Sequence, residues 1–583
     1  MSDFLEGLNP PQRQAAEKLK GPLLILAGAG SGKTRVVTQA VARVIAEGFG
    51  AGGILCITFT NRAADEMRRR IAESAGTPAA SVRIHTFHGW CATLCRAYPK
   101  KTGRTSDFVI YDQDDVDELY AMVASELGIA PHGGAKRVKA RAAKAGASIA
   151  LANLYRDYLA AYNAHDFDSL QRFALRAMAS PAARANIAGL HHIFVDEYQD
   201  TSETQTEVIN EALAIVRESA AHRAMRGQPV SILRVGDPAQ AIYEWRGARP
   251  QNILDVAAAD HVKTLQLDVN YRSRPAIVTV GNRIAAAVGS PLVGVRSGRD
   301  DADGVVVVHE HATMRDRDNV IADKIAYACM TGSAPSDFAV IARTWAELDG
   351  VAQALHGSVP VHFGREAADR WSSTSMRHLV AGMRCATNPR DGVAVRRLSA
   401  WPTRDLTDRQ ILRMEVDPAP VVVAAASVSP RVAAATSFTT DCPSTWSHAY
   451  LNWWSNADAL VDAVAEVSEW ASANPGEDVA GFLRWYGARQ LSDMTTTDPD
   501  AGPVRLLTVH AMKGLEARIV HVVGLDGRVW PRGRGSAEDL RCFYVACTRA
   551  QDELHLHHSR LRPARDGSSV AHAPSPFISI ATD

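Results

Sequence analysis

An apolar run, Pro22 to Ala27, breaks abruptly into Gly28, Ala29, Gly30, Ser31 and Gly32, then Lys33 and Thr34. A periodic segment from Arg35 to Glu47 follows. A short continuous apolar stretch, then glycines, then helical spacing reads as a buried strand, a tight loop and a helix. A strand apolar on both faces needs cover on both, which a parallel α/β sheet provides. The loop also carries chemistry. Glycines let successive backbone N–H groups curl around phosphate oxygens, and the helix start adds its positive end. Lys33 supplies charge to β- and γ-phosphates, and the Thr34 hydroxyl can bind Mg²⁺. The general phosphate-loop pattern has glycine where this chain has Ala27. An unliganded glycine turn is the bland alternative, and Gly-Lys-Thr set between strand and helix argues against it.

Other strands end in small or acidic residues. Ile54 to Phe59 leads into a helix over Arg62–Ala72; Ile193 to Val195 runs into Asp196 and Glu197, and Ile232 to Val235 into Gly236 and Asp237. This pattern predicts a parallel sheet with its site at the strand C-terminal ends. Asp196 is placed as an Mg²⁺-coordinating carboxylate should be, and Glu197 can orient and deprotonate an attacking water. Strand signals return at Val305–Val308, Phe338–Ile341, Val504–Leu507 and Ile519–Val523, which predicts a second sheet, interrupted roughly from 398 to 497. The segment Asp417 to Ser444 is rich in Pro, Ala, Ser and Val and reads as linker-like.

A chain of 583 residues corresponds to about four structural units at roughly 150 residues each. Lys plus Arg and Asp plus Glu both number 64, for a net charge of zero. That balance excludes a uniformly basic nucleic-acid binder, so any such grip must be local. The eight cysteines are scattered. Cys91 and Cys95 lack the second close pair that a structural zinc site needs, and buried free thiols are favoured over an iron–sulfur site drawing on Cys91, Cys95, Cys542 and Cys547. The N-terminus has no secretory pattern, and no apolar run approaches the roughly 20 residues that span a bilayer. A cytoplasmic location is expected.

Together these residues resemble the UvrD/Rep branch of superfamily 1 DNA helicases. The likeness runs in order through the chain: Leu8 to Gln12, the phosphate loop in the family's own form beginning with Ala27, Thr58 to Ala64, His85 to His88, Asp166 to Leu170, Val195 to Thr201, Val235 to Ala248, Asn270 to Ser273, Thr508 to Glu516 and Phe543 to Ala550. It implies two RecA-like P-loop NTPase lobes with parallel sheets, each carrying a mainly helical inserted accessory subdomain. The expected boundaries are 1–96 with 185–269 for the first lobe and 97–184 for its insertion. The second lobe is 270–397 with 498–560, its reduced insertion 398–497, and 561–583 a C-terminal tail.

The resemblance also implies roles. ATP and Mg²⁺ are the expected cofactors, held by Gln12, Ala27, Gly28, Ala29, Gly30, Ser31, Gly32, Lys33, Thr34, Arg35, Tyr271, Arg272, Glu516 and Arg549, with Thr34 and Asp196 on the metal. Gln12 would read the adenine, Arg35 and Tyr271 would sandwich it, and Glu516 would touch the ribose side. Lys33, Asp196 and Glu197 would act on the phosphates with Gln240 as γ-phosphate sensor and Arg272 and Arg549 as arginine fingers. Phe59, Tyr243 and Trp245 would stack bases, with His85, Arg246, Arg343 and His510 near the strand. Core packing is the ordinary alternative for Tyr243 and Trp245.

The expected activity is 3′→5′ translocation on single-stranded DNA with duplex unwinding, in repair, replication or recombination. Expected partners are single strands, single-strand/duplex junctions and a protein that stimulates unwinding. The basic stretch Lys136 to Lys144 reads either as a duplex-phosphate contact or as a solvated helix face. Trp401 to Thr407 stands where the family has a Gly-Ile-Gly hairpin, and the tight hairpin needs residues without Cβ. Two rivals follow: a translocase that strips proteins from single strands, and a nucleotide- or DNA-end-sensing subunit of a larger complex.

Overall fold

Strand β1 (Pro22–Ala27) is buried from Leu23 onward and pairs in parallel on both edges, with β7 (Ser231–Gly236) and β8 (Lys263–Leu267). Its continuous apolar lettering is what such a central position demands. Around it lie β2 (Ile54–Thr58), β3 (Arg83–Thr86) and β6 (His192–Val195) in the order β3-β2-β6-β7-β1-β8. The computed structural model describes residues 5–219, 230–292, 294–299, 301–364, 373–400, 406–407, 410–411, 421–426, 429–438, 440–453, 460–491, 502–531, 535–563 and 568–582.

Two short strand pairs come from β4 (Val109–Tyr111) with β5 (Ala164–Asp166), and β9 (Val269–Asn270) with β10 (Arg296–Ser297). The second large sheet is built from β11 (Val305–Thr313), β12 (Phe338–Ala342), β13 (Val361–Phe363), β14 (Val504–Thr508), β15 (Ala517–Val522) and β16 (Ala550–Pro563). Its order is β11-β16-β15-β12-β14-β13, all parallel, and β17 (Ser569–Ala571) pairs antiparallel with β16. The α/β class with two parallel-sheet lobes is therefore as expected. Among the described residues no helix is long and apolar enough to cross a membrane.

Packing divides the chain into two compact units. One comprises Met1–Phe87, Asn186–Ala367 and Asp493–Asp583 and contains both large sheets; the other comprises His88–Ala185 and Ala368–Ser492. The second unit is mainly helical, and its two chain segments share one core, in which Leu119, Met122 and Tyr162 pack with Leu379, Met383 and Trp446. A buried ion cluster joins the same segments: Arg384 donates to Asp115 and Asp391 at 2.7 Å each, and the Tyr111 hydroxyl donates to Asp391 at 2.8 Å. Each buried charge has a counter-charge, the condition under which such groups are tolerated in a core.

Two expectations are corrected. Most of the described residues of the linker-like segment 417–444 are helical: Val421–Ala426, Pro430–Ser437 and the start of Pro443–Trp453. Small apolar residues that look like linker composition here form tight helix faces, with Val432, Ala435 and Trp446 fully buried. Residues 561–583 are not a tail. β16 runs to Pro563, β17 pairs with it, and the helix Pro576–Thr582 buries Phe577, Ile578 and Ala581 in the core of the second sheet. Residues 401–405 of the expected hairpin site lie outside the described residues. In the basic stretch Val138 and Ala142 face inward while Lys136, Arg137, Lys139 and Lys144 are exposed. Of the cysteines, Cys56, Cys91, Cys95, Cys385, Cys542 and Cys547 are buried free thiols, and Cys329 and Cys442 are half-buried.

Candidate functional site

The C-terminal ends of four adjacent strands converge. β1 delivers the phosphate loop, β2 delivers Phe59, β6 delivers Asp196 and Glu197, and β7 delivers Asp237. The helix Lys33–Ala46 follows directly, with Gly32 at its N-cap in the left-handed region (φ +80°) and no side chain capping it. The first-turn N–H groups are thus open to an anion. Gly30 (φ +69°) has a second constraint. A Cβ there would stand 2.5 Å from Asn270 Oδ1 and 2.7 Å from Arg272 Cβ, so the loop and the 270–273 segment can meet only over a glycine.

Around the loop, Lys33 Nζ donates to the carbonyls of Ala27 (3.2 Å) and Gly28 (3.4 Å). The Ser31 hydroxyl donates to Gly28 O at 2.8 Å. Gln12 is buried, and its Nε2 donates to Ser31 O at 2.9 Å. The Asn9 amide donates to the Tyr271 hydroxyl at 2.6 Å, and Arg35 lies against Gly7. Asn9, Pro10, Pro11, Tyr271, Arg296 and Gly298 help to line a cleft of about 540 Å³ beside the loop. Gln12, Arg35 and Tyr271 therefore gather at one flank of the phosphate loop, where a base can be read and stacked.

Asp196 is buried and Glu197 half-buried, both within reach of the Lys33 charge. Burial, then the negative charge of Glu197, pushes the Asp196 carboxyl up, while Lys33 and the Thr34 hydroxyl pull it down. Burial also raises Glu197, but Lys33, Lys513 and a hydrogen bond from Gln199 outweigh it and hold that carboxylate below its usual range. Glu197 sits at φ +52°, a left-handed conformation costly for a residue with a Cβ. An acidic pair beside a threonine hydroxyl fits a hydrated Mg²⁺, which takes one or two protein ligands and completes its shell with phosphate oxygens and water.

The segments flanking the second sheet close over these groups. Arg549 is fully buried, and its guanidinium donates to the neutral oxygens of Val545 (3.0 Å), Leu515 (3.4 Å), Thr548 (3.2 Å) and Gln240 (Oε1, 3.4 Å). Burial, then repulsion from Arg272, lowers its pKa to about 9. A buried cation with only neutral acceptors gains from an incoming anion. Arg272 pairs with Glu516 and donates to Thr548 O at 3.2 Å. Burial raises the Glu516 carboxyl, and Arg272 then overrides that and lowers it.

Four groups were given no role by the sequence. Lys513 pairs with Asp200 and donates to Gln240 O at 2.9 Å. Gln199 donates to Glu197 and accepts from the Asp237 backbone at 3.0 Å. Asp237 accepts from Gln240 Nε2 at 2.7 Å and from the Tyr544 hydroxyl at 3.1 Å. Asn270 Oδ1 accepts from the backbones of Arg272 (2.7 Å) and Ser273 (2.9 Å). All four stand inside or beside motifs that were read, and the bonds from Lys513 to Asp200, from Asp237 to Gln199 and from Tyr544 to Asp237 join residues too distant in sequence to leave a local pattern.

Of the residues expected to meet DNA, Phe59, Tyr243, Trp245, Arg246 and His510 form one cluster. Phe59 stacks on Tyr243 (centroids 4.7 Å apart), Arg246 covers Trp245 at 4.6 Å, and His510 meets Trp245 edge-on at 6.0 Å. Tyr243 is 2% exposed and belongs to the core, whereas Trp245 is 59% exposed. Only Trp245 and the half-buried Phe59 offer ring surface to a base. Arg343 pairs with Asp539 at 3.3 Å and flanks Glu538, whose carboxylate accepts the Trp245 backbone N–H. His85 is half-buried on β3, and burial lowers its pKa.

The UvrD/REP helicase N-terminal domain model matches residues 8–144 and 125–260. The UvrD-like helicase C-terminal domain model matches residues 265–423 and 433–560. The chain is 28% identical to the ATP-dependent DNA helicase UvrD1 of Mycobacterium tuberculosis, over 96% of this chain and 83% of that protein. It is 28% identical to the ATP-dependent DNA helicase PcrA of Leuconostoc citreum (98% and 84%), and 27% identical to DNA helicase II of Escherichia coli K12 (99% and 88%). With both family models covering nearly the whole chain, the protein belongs to the UvrD/REP helicase family.

Proposed function

We propose that this protein is an ATP-dependent DNA helicase that moves 3′→5′ on single-stranded DNA and opens duplex ahead of it, in DNA repair, replication or recombination. The observation that carries the reading is the bridge from Arg549 and Lys513 to Gln240 and Asp200 beside the phosphate loop. In this reading Lys33 and the open helix start bind the phosphates, and Thr34 and Asp196 hold Mg²⁺. The metal, when bound, neutralises charge on the β- and γ-oxygens. Glu197, kept ionised by Lys33 and Lys513, orients and deprotonates the attacking water. Arg549 and Arg272 stabilise charge on the transferred phosphoryl group, and Gln240 carries the state of that group to the segment ending in Trp245. Gln12, Arg35 and Tyr271 hold the base, and Glu516, through Arg272, the ribose side.

Single-stranded DNA runs over Phe59 and Trp245, with Arg246, Arg343, His85 and His510 near its backbone. Base stacking tolerates any sequence, as a translocating motor requires. In domain terms, 1–96 with 185–269 forms the first motor lobe and 270–397 with 498–560 the second. The test is strand displacement with ATP and Mg²⁺ on duplexes bearing a 3′ or a 5′ single-stranded tail. The expected result is displacement from the 3′-tailed substrate alone. Displacement only from the 5′ tail would reverse the polarity. Translocation without displacement would favour a motor that clears proteins from single strands.

A further inference from the structure

Tyr544 lies on the helix Ala537–Cys547 that packs against the second sheet, yet its hydroxyl reaches the phosphate loop of the first. It donates to Asp237 Oδ2 at 3.1 Å and accepts from the backbone N–H of Ala29. The ring is 5% exposed and helps to line a small cavity with Ala29, Asn270 and Thr548. The phenol therefore bonds at once to the loop that binds phosphate and to the turn that presents Gln240.

Asp237 is the hub. Oδ2, which accepts the Tyr544 hydroxyl, also accepts Gln240 Nε2 at 2.7 Å, and Oδ1 accepts the backbone N–H of Ala239 at 3.0 Å. At the far end of the Gln240 amide, Oε1 accepts from Arg549. Tyr544 and Arg549 belong to one continuous stretch of chain. They thus clamp the Asp237–Gln240 element at its two ends, one through a carboxylate and the other through an amide oxygen.

Resting on the helicase reading above, we propose that Tyr544 is a positioning residue that sets the register between Arg549 and Gln240. Its hydroxyl makes the second sheet's arrival on Ala29 and Asp237 a condition for aiming the finger. The bond to Asp237 is charge-assisted and buried, which makes it roughly twice as strong as a neutral one. Burial, then the charge of Asp237, raises the phenol's pKa well above its ordinary value, so it stays a donor.

The test is Tyr544→Phe, which keeps the ring and deletes the hydroxyl. ATP turnover is measured with saturating single-stranded DNA, and nucleotide-free DNA affinity and thermal unfolding are measured alongside. The expected result is a kcat lower by about tenfold, part of the roughly 10³-fold that a well-aimed arginine finger supplies. KM for ATP and nucleotide-free DNA affinity should stay within about twofold, since Tyr544 acts by aiming Arg549, whose charge stabilisation belongs to the transition state. If Tyr544→Phe lowers the unfolding temperature, the kinetics of both proteins are read at a temperature where circular dichroism shows the variant fully folded. A kcat within twofold of the parent in the well-folded variant overturns the proposal. A parent protein whose turnover ignores single-stranded DNA overturns the helicase reading instead, so the two failures are distinct.

Discussion

Nη2 of Arg549 lies 3.4 Å from Oε1 of Gln240, across 309 residues of sequence. The contact joins a buried guanidinium, hydrogen-bonded to neutral oxygens, to the amide that shares Asp237 with the phosphate-loop side of the site. Removing the guanidinium should therefore affect turnover far more than nucleotide binding. Arg549→Ala is expected to lower kcat by about 10³-fold, the usual worth of an arginine finger, with KM for ATP changed little. Steady-state ATPase kinetics check this.

Lys33 and Glu197 should separate in the same assay. Lys33→Ala is expected to abolish turnover and weaken ATP binding while leaving DNA binding largely intact. Glu197→Gln should also abolish turnover but keep ATP affinity, because it removes the base while Lys33 and the loop remain. Equilibrium binding of a fluorescent ATP analogue distinguishes the two variants.

Trp245 and Tyr243 are two residues apart but should fail in different ways. Trp245→Ala should weaken single-strand affinity by about 1–3 kcal/mol, one stacked base, with little change in stability. Tyr243→Ala should cost about 3–5 kcal/mol of folding stability, as large-to-small changes of buried aromatics do, because it empties the space against Phe59. Fluorescence anisotropy with an oligonucleotide and urea unfolding read the two effects.

A buried histidine ladder crosses β11, β15 and β16. His309 bonds His555, His311 bonds His557, and His557 bonds His521, each N···N distance being 3.0 Å. Each bond needs one N–H and one bare nitrogen, so two bonded rings cannot both be protonated. Burial is the first cause that lowers all five, His309 to about 4; neighbouring imidazoles add to it at His309, His311, His521 and His557, while Glu553 opposes it at His555. The unfolded chain therefore binds more protons, and stability should fall as pH drops from about 6.5 towards about 4. Holding a single imidazole neutral at pH 5 costs about 2 kcal/mol relative to an unfolded pKa near 6.5. Urea unfolding at pH 7 and pH 5 should show this loss, and His309→Gln with His557→Gln should lessen it.

The motor's local features were legible in the sequence because they are contiguous. β1, the phosphate loop and its helix form one uninterrupted signal, and Asp196 and Glu197 directly follow an apolar strand. The features that were hidden are long-range. Tyr544 meets Asp237 across 307 residues, and Lys513 meets Asp200 across 313; no periodicity records such pairs. Tyr243 was legible as an aromatic but not as a buried one, since burial depends on Phe59 from β2's end. The segment around Pro430 was misread because proline, alanine and serine suggest a linker, whereas Pro430 opens the helix Pro430–Ser437 at its first turn, where the missing N–H costs nothing.

The central claim is that phosphate chemistry beside Lys33 and the grip on DNA beside Trp245 are one linked event. Its most direct test is ATP turnover measured as single-stranded oligonucleotide is titrated in. Turnover should rise by at least about tenfold to a plateau, an ordinary size for coupling between two sites, and the half-point should shift to higher oligonucleotide in Trp245→Ala. Turnover that is substantial but indifferent to single-stranded DNA would contradict the account.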